Sequence, residues 1–413
     1  MTFLENFALQ NESKIENWIA KKLEGQTPFF YGSCDVRYSG LKITQVDTNC
    51  FSAGFNNLTK ESFEKAIAVY REFFAYRKIK SVLIYPEFHT RNYGYLKNVR
   101  TLKAIFEEAG VVVKIATNLE TKFNIDLSVS DIKSISEELG LAENSLDFDP
   151  ICKHKWFFQK KSSIGVKGDS KTECFVADAI VLNNDLTSGM PEVLKNVKAE
   201  ILPSAKMGWW RRKKTEHFKH YSEIVKEFAT DFTLDPWLFD AYFEEVENMD
   251  FGKPESLQIL SEKLEILYAK ITAKYKEYGI KEQPSIFIKS NKGTYGMGIH
   301  VISNPEEVKH FNKNIRKKMS VIKDGLENTS IILQEGVPTI FTSNERAVEP
   351  VVYSVLSKPI GMFFRINDGE IANLNGKGME FSTDFELTKS QKILSNLIAS
   401  LANLAVILEL KSL

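Results

Sequence analysis

Cysteine is scarce in this chain, and no two cysteines are spaced as Cys-x-x-Cys. Four cysteines in 413 residues are too few for a disulfide framework, and their spacing does not suggest a zinc site. Sparse, reduced thiols are typical of the cytosol, so we expect a cytoplasmic protein. The first ten residues are polar and acidic and do not have the pattern of a signal peptide.

Long apolar runs and an excess of charge of one sign are also absent. No stretch approaches the roughly 18 consecutive apolar residues of a membrane helix. Lysine plus arginine equals aspartate plus glutamate, at 54 each, so no overall field would attract nucleic acid or an anionic membrane. We therefore expect small-molecule substrates, without a nucleic-acid or membrane partner. The length of 413 residues allows two or three domains with separate cores.

The most informative stretch, residues 285–302, is a glycine-rich loop between two apolar segments. Gly293, Gly296 and Gly298 let backbone amides approach a ligand, because glycine has no Cβ and tolerates positive φ. Lys289 adds a cation at the mouth of the loop, as is typical of a polyphosphate site. The spacing is not that of a P-loop, and no helix pattern follows to make a dinucleotide fold. The pattern therefore predicts either a lid over phosphates or an ordinary hairpin with a glycine-rich turn.

The first half of the chain contains the order strand, helix, strand, helix, strand. Segments 29–37 and 41–47 predict a hairpin, and a helix from Thr59 follows it. Further strands at 81–85 and 111–116, separated by a second helix, indicate a parallel sheet with helices packed on it. Ligands of such sheets lie beyond the carboxyl ends of the strands, where Glu87, His89 and Arg91 fall.

Four features after residue 200 occur in an order that resembles the ATP-grasp fold. They are the basic residues Lys213 and Lys214, the strand that ends in Lys289, the hinge-like segment 334–337, and Arg365. The resemblance implies that the lysines contact phosphates, that the hinge holds adenine, and that the arginine faces the transferred phosphoryl group. Taken singly, each feature is more often a solvated lysine, an edge strand or an arginine at the rim of a core. The occurrence of all four in this order favours the ATP-grasp interpretation over these separate ones.

The carboxylates that normally hold magnesium at the end of an ATP-grasp fold have no counterpart at the C-terminus. A candidate set occurs near the front instead, with Asp35 on one strand and Asp47 and Asn49 on the next. Asp47 and Asn49 are one residue apart and so share a face of the strand, as two ligands of one hard cation would. A charged loop that caps the helix at Thr59 is the alternative. The displaced order is similar to that of eukaryotic-type glutathione synthetase, which implies an α/β (α+β) fold of circularly permuted ATP-grasp type.

From about residue 30 to 380, the chain resembles the smaller proteobacterial glutamate–cysteine ligase family. The motifs that carry the match are Asp35–Gly40, Val46–Asn49, Ala53–Leu58, His89–Asn92, Leu182–Leu186, Arg212–Lys214, Asp235–Trp237, Gly293–Gly298, Gln334–Val337 and Glu349–Tyr353. Three positions depart from the family pattern: Asn291 replaces an acidic residue, Ser52 replaces a proline, and Gly376-Lys377 replaces Ala-Pro. The resemblance implies ATP-dependent formation of γ-glutamylcysteine through an acyl phosphate, the first step of glutathione biosynthesis.

The same resemblance implies a set of site residues. The residues implied in catalysis are Lys289, Arg365 and Arg37. Those implied in ATP binding are Lys213, Lys214, Lys289, Gly293, Thr294, Tyr295, Gly296, Gly298, Gln334, Glu335 and Val337. Those implied in amino-acid binding are Arg37, Ser52, Asn56, Arg91 and His89, of which the histidine could equally be structural. Those implied as ligands of Mg²⁺, with Mn²⁺ as an alternative, are Asp35, Asp47 and Asn49.

Two other functions remain open from the sequence. One is a different ATP-grasp carboxylate–amine ligase, such as glutathione synthetase or a dipeptide ligase, with the same ATP site and another acceptor pocket. The other is a nucleotide-binding homologue without turnover, which the loss of charge at Asn291, beside the phosphates, would permit.

We expect three domains, with a boundary near residue 203. Residues 1–80 form an N-terminal arm with the permuted metal and substrate hairpin, residues 81–202 a parallel α/β substrate domain, and residues 203–413 the ATP-grasp domain with its lid and C-terminal helix. The leucine-rich face of that last helix predicts a core element or a contact in a homo-oligomer.

Overall fold

The structure is a computed structural model that describes residues 1–87, 93–116, 156–159, 172–293, 299–321, 325–368 and 379–413. Two compact units make up the chain. The larger unit consists of residues 1–50, 187–189 and 206–413, and the smaller unit consists of residues 51–186 and 190–205. The predicted domain boundaries at 80 and 203 remain a prediction.

Helices and strands are mixed along the described part of the chain. The α-helices are α1 (Phe3–Leu23), α2 (Lys60–Arg77), α3 (Tyr93–Glu108), α4 (Lys214–Asp231), α5 (Pro254–Glu277), α6 (Lys313–Met319) and α7 (Lys389–Ser412). The strands are β1 (Tyr31–Tyr38), β2 (Ile43–Asn49), β3 (Ser81–Pro86), β4 (Val112–Ile115), β5 (Trp156–Gln159), β6 (Thr172–Phe175), β7 (Ala179–Asn183), β8 (Glu200–Leu202), β9 (Phe243–Val246), β10 (Ile286–Ser290), β11 (His300–Ile302), β12 (Ile331–Glu335), β13 (Thr342–Ser343), β14 (Arg346–Val355), β15 (Lys358–Asn367) and β16 (Glu380–Ser382).

An antiparallel sheet in the larger unit joins the two ends of the chain. Its strand order is β16-β15-β14-β1-β2, with β13 paired to β14. The N-terminal hairpin therefore adds directly to the C-terminal strands, and Asp35 of β1 lies opposite Val351 of β14. This pairing is the circularly permuted order that the sequence predicts.

Helix α7 covers this sheet and packs against α1 and α4. Its residues Leu394, Leu397, Leu401 and Leu404 are buried in the core of the larger unit, so the leucine face is a core face. Within the described residues, α7 is also the one helix long and apolar enough to cross a membrane, and 78% of its apolar window is buried inside the protein. Burial of this extent is typical of a core helix.

A second antiparallel sheet of the larger unit has the strand order β11-β10-β12-β9. Strand β10 alternates, with Ile286 and Ile288 buried against α5 and Lys289 on the opposite face. The strands predicted on either side of the glycine loop are confirmed by the pairing of β10 with β11. The sequence pattern of residues 305–319 predicts one helix, but the structure has two elements there, because Asn304 and Asn312 each cap a separate one.

The smaller unit contains the parallel sheet β4-β3-β7-β8, as predicted. Helices α2 and α3 contact each other through Tyr70, Phe74 and Phe106, whose rings lie 4.9 to 5.7 Å apart. The short antiparallel pair β5 and β6 lies between β4 and β7 in the chain. Residues 131–141, for which the sequence pattern predicts a helix, lie outside the described residues.

Candidate active site

The acidic residues expected to bind metal lie on the hairpin of β1 and β2. Asp35 on β1 is directly opposite Asp47 on β2. Asn49 follows two residues after Asp47, and its Nδ2 lies 3.4 Å from Asp47 Oδ2. The two β2 side chains therefore point to the same face of the sheet, as the two-residue period of a strand requires.

Two lysines from distant parts of the chain converge on this hairpin. Lys214, the first residue of α4, donates a hydrogen bond to Asp47 Oδ1. Lys289 on β10 donates to the carbonyl of Val46 at 3.2 Å and to Gln334 Oε1 at 2.7 Å. Burial raises the pKa of Asp47, but the Lys214 ammonium more than offsets this effect, and the pKa is lowered to about 2. Asp47 is therefore an ionised carboxylate held by cations.

Lys289 is a partly buried cation that could meet a phosphate. Desolvation lowers the pKa of Lys289 to about 8, although the carboxylate of Asp47 opposes this shift. The side chain is still protonated at neutral pH, and its poor hydration strengthens any contact with an anion. Lys213 points elsewhere, because its Nζ donates to Glu247 Oε1 at 2.6 Å. The structure thus places Lys214, and not Lys213, next to Asp47.

A second set of charges lies on β1, β14 and β15. Arg365 Nη2 contacts both Asp35 Oδ2 and Glu349 Oε1, and Arg37 Nε contacts the other oxygen of Glu349. All four side chains are at most 7% exposed. Burial raises the pKa of Asp35 to about 6, although the Arg365 guanidinium opposes the rise. Since two cations and two anions are buried together, their pairing limits the cost of desolvation.

Glu349 is a member of this set that the sequence analysis did not assign to the site. The register of β14 and β15 places it directly opposite Arg365. In the sequence, Glu349 is one carboxylate within the apolar segment 347–352. A charged residue in a buried strand requires a partner, so this position could have been recognised as unusual. That signal marks the residue but does not identify the partner.

Two buried nitrogen donors of the site make no hydrogen bond to any described residue. They are Arg365 Nε and Gln334 Nε2. Buried donors are usually satisfied, so unused ones next to cations indicate where an anionic or polar ligand can bind. Gln334 Oε1 accepts from Lys289, which leaves only the amide nitrogen of this side chain for such a ligand.

The carboxylate of Glu335, in the hinge segment, is occupied by protein groups. Lys42 Nζ lies 2.8 Å from Glu335 Oε2, the Tyr242 backbone N–H donates to the same oxygen at 2.9 Å, and Trp237 Nε1 lies 3.2 Å from both oxygens. Glu335 is 1% exposed. A contact of this residue with adenine therefore stays a prediction, and the structure shows its carboxylate holding the hinge in place.

Gly293, Ser52 and Asn56 are also predicted site residues that the structure describes. Gly293 is described and has a φ of 93°, which suits glycine. Ser52 and Asn56 belong to the smaller unit, where the Ser52 carbonyl accepts from Asn183 and Asn56 contacts Asn57. The predictions that fall outside the described residues concern His89, Arg91, Thr294, Tyr295, Gly296, Gly298 and Gly376-Lys377.

The oxygen donors on the hairpin are chemically suited to magnesium. No group of three or more His, Cys, Asp or Glu side chains that could hold a metal ion occurs in the part of the chain that the structure describes. Magnesium does not require such a group, because it commonly uses one or two carboxylates together with water and substrate phosphates. Asp47, Asn49 and Asp35, on adjacent strands, fit that requirement.

Lysines, arginines and carboxylates thus converge from two antiparallel sheets, next to a strand that leads into a glycine loop. Such a set is suited to stabilising the charge of a transferred phosphoryl group. With the strand pairing that joins the two ends of the chain, this set is that of an ATP-dependent ligase.

The chain belongs to the glutamate–cysteine ligase family. The model of that family, GshA glutamate-cysteine ligase, matches residues 5–396. A proposed gamma-glutamylcysteine synthetase from Methylobacillus flagellatus KT is 31% identical, with a TM-score of 0.78 over 99% of this chain and 96% of that chain. No curated protein matches the chain. The predicted family is therefore confirmed, and the protein is a ligase of glutathione biosynthesis that uses ATP and a divalent metal.

Two more distant structures share 11% identity with this chain. One is a glutathione synthetase-like effector from Globodera pallida, with a TM-score of 0.38 over 92% of this chain and 82% of that chain. The other is D-alanyl-alanine synthetase A from Vibrio cholerae O1 biovar eltor str. N16961, with a TM-score of 0.35 over 78% and 79%.

Proposed function

We propose that this ligase joins glutamate to cysteine at the cluster around Asp47 and Lys289. The γ-carboxylate of glutamate attacks the γ-phosphate of ATP, which forms an acyl phosphate and releases ADP. The amine of cysteine then attacks the acyl carbon, loses a proton and displaces phosphate, which gives γ-glutamylcysteine. Because both reactants of the first step are anions, the site must neutralise their charge.

Several residues of the larger unit neutralise this charge, each at a different group of the substrates. Lys214 and Lys289 bind phosphate oxygens, and Arg365 faces the transferred phosphoryl group with its unused Nε. Gln334 donates its free amide hydrogens to the nucleotide. The glycine loop after Gly293 excludes water, which would otherwise hydrolyse the acyl phosphate.

Asp47, Asn49 and Asp35 would hold the divalent metal, with Mg²⁺ preferred over Mn²⁺ as the resident ion. When bound there, the ion supplies positive charge to the phosphate oxygens. Of the three, Asp47 carries the full negative charge that a hard cation requires, because its pKa is lowered to about 2 by Lys214 in spite of burial.

Arg37 is the candidate in the larger unit for binding a carboxylate of glutamate. Glu349 accepts from its Nε and so orients the guanidinium plane. Ser52, Asn56, His89 and Arg91 are proposed to complete the amino-acid site.

The observation that carries this proposal is the convergence of Lys214 and Lys289 on Asp47. Phosphate release should therefore depend on ATP, glutamate and cysteine together. We would measure it with the purified protein and a panel of amino-acid pairs, with serine in place of cysteine as the matched acceptor without a thiol. Release driven by another pair, such as γ-glutamylcysteine with glycine, would identify a different ligase, and ATP binding without release under any pair would identify a homologue without turnover. We also propose that the enzyme acts in the cytoplasm.

A further inference from the structure

Asn291, one of the positions at which the chain departs from the family pattern, is completely buried. It follows β10, two residues after Lys289. Its Oδ1 accepts from the Thr215 backbone N–H at 2.9 Å. Its Nδ2 lies 2.9 Å from each of Thr215 Oγ1, Glu245 Oε1 and Ser330 Oγ. The carboxamide of Asn291 therefore has protein partners on both of its ends.

The same residue satisfies the start of helix α4. The N-cap residue of α4 is Lys213, whose side chain makes no capping hydrogen bond. The first N–H groups of a helix have no partner within the helix. Here the N–H of Lys214 donates to the Asn291 carbonyl at 2.8 Å, and the N–H of Thr215 donates to its side chain. Asn291 thus acts as a cap supplied from another element.

Glu245 explains why the residue at this position is an amide. A carboxylate can only accept hydrogen bonds, and Glu245 Oε1 accepts from Asn291 Nδ2 at 2.9 Å, while Lys219 Nζ lies 3.4 Å from the other oxygen. An aspartate in the same place would bring a second carboxylate to the Glu245 oxygen and would lose the donor. Glu245 also accepts from Thr215 Oγ1 at 2.9 Å, so the three side chains form one hydrogen-bonded unit.

We propose that Asn291, paired with Glu245, is a positioning residue that fixes Lys214 relative to Lys289 and so sets the affinity for ATP. The inference rests on the proposed function only in assigning these lysines to the phosphates. The side chain of Asn291 is held by the protein groups Thr215, Glu245 and Ser330, so its role is to position other residues. The amide at this position is therefore compatible with a working site and does not mark a homologue without turnover.

The test is a cycle of Asn291→Asp, Glu245→Gln and the double variant. The Kd for ATP, measured by calorimetry with Mg²⁺, should rise at least tenfold in N291D. The double variant should return it to within threefold of the unchanged protein, because the introduced glutamine amide can donate to the introduced carboxylate. E245Q alone should change it less than threefold, since the glutamine oxygen still accepts. The KM for glutamate should stay within twofold throughout.

Asn328→Asp is the matched control, because Asn328 is also buried and its Nδ2 donates to the Met319 carbonyl at 2.8 Å. The proposal is overturned if N291D binds ATP within threefold of the unchanged protein, if the double variant does not restore binding, or if N328D weakens ATP binding as much. If N291D does not fold, Thr215→Val takes its place and should raise the Kd at least threefold, and a smaller change overturns the proposal. Because ATP binding is measured without amino acids, the result does not depend on which acceptor the ligase uses.

Discussion

Two lysines of the larger unit, the buried Lys42 and the partly buried Lys289, have different surroundings. Lys42 contacts one carboxylate, that of Glu335, whose oxygens are also held by Trp237 and Tyr242. Lys289 contacts a carbonyl and an amide oxygen, with the neighbouring amide nitrogen of Gln334 unused. In the first arrangement both charged groups are held by protein partners, whereas the second has an unused donor, Gln334 Nε2. A buried charge with fixed protein partners stabilises the fold, and one with spare donors beside it marks a binding site.

The largest effect is expected when the ion pair between Lys42 and Glu335 is broken. Lys42→Met leaves the Glu335 carboxylate buried without its cation, which typically costs about 3–5 kcal/mol of folding free energy. Lys42 is 3% exposed, so solvent gives little compensation. Urea unfolding would measure the loss, and phosphate release per folded molecule should stay within about threefold. If the variant were as stable as the unchanged protein, the assignment of this pair to stability would be wrong.

At Lys289 we expect a large effect on activity and a small one on stability. Lys289→Met removes a cation from the transferred phosphate, and loss of one such group typically costs about 2.7–4 kcal/mol of transition-state stabilisation. We expect kcat/KM for ATP to fall roughly 100- to 1,000-fold by that estimate, with little loss of stability. Lys292→Met, three residues further along the same segment, is the control. An equal loss of activity in both variants would contradict a specific role for Lys289.

The activity that depends on Lys289 should also change with pH. Since desolvation lowers the pKa of Lys289 to about 8, this lysine loses its proton as the pH rises through that value. The kcat/KM for ATP, which reports the free enzyme, should then fall about tenfold per pH unit above 8. The folded chain releases this proton before the unfolded chain does, so the group's contribution to stability rises between pH 8 and about 10.4. A profile that is flat to pH 9.5 would contradict the assignment.

The smallest effect is expected at the neighbouring basic residue. Lys213 pairs with Glu247 at a partly exposed position, and such pairs contribute about 0.2–1 kcal/mol. Lys213→Met should therefore change stability and ATP affinity only slightly, whereas Lys214→Met should weaken ATP binding strongly. Calorimetry on both variants distinguishes the two lysines, and the reverse order of effects would assign the phosphate contact to Lys213.

Much of the fold could be predicted because it depends on local patterns. The alternation of β10 and the leucine spacing of α7 each set a buried face, and the structure has both. The sequence pattern does not reveal that residues 305–319 form two helical elements, because Asn304 and Asn312 each supply a cap within what looks like one continuous helical pattern.

The site was less accessible to sequence reasoning. The strand spacing predicts that Asp47 and Asn49 share a face, but only pairing across 167 residues brings Lys214 to Asp47. Glu349 and Asn291 depend entirely on tertiary partners: the first faces Arg365, and the second caps a helix that starts 77 residues earlier in the chain. The spacing of apolar and polar residues along the chain does not reveal such tertiary contacts.

The measurement that most directly tests the account is a double-mutant cycle of Asp47→Asn and Lys289→Met on kcat/KM for ATP. If the front hairpin and β10 serve the same phosphates, the two losses are coupled, and the double variant should be about as slow as the slower single variant. Losses that multiply would mean that the two residues act independently and would contradict a single shared site.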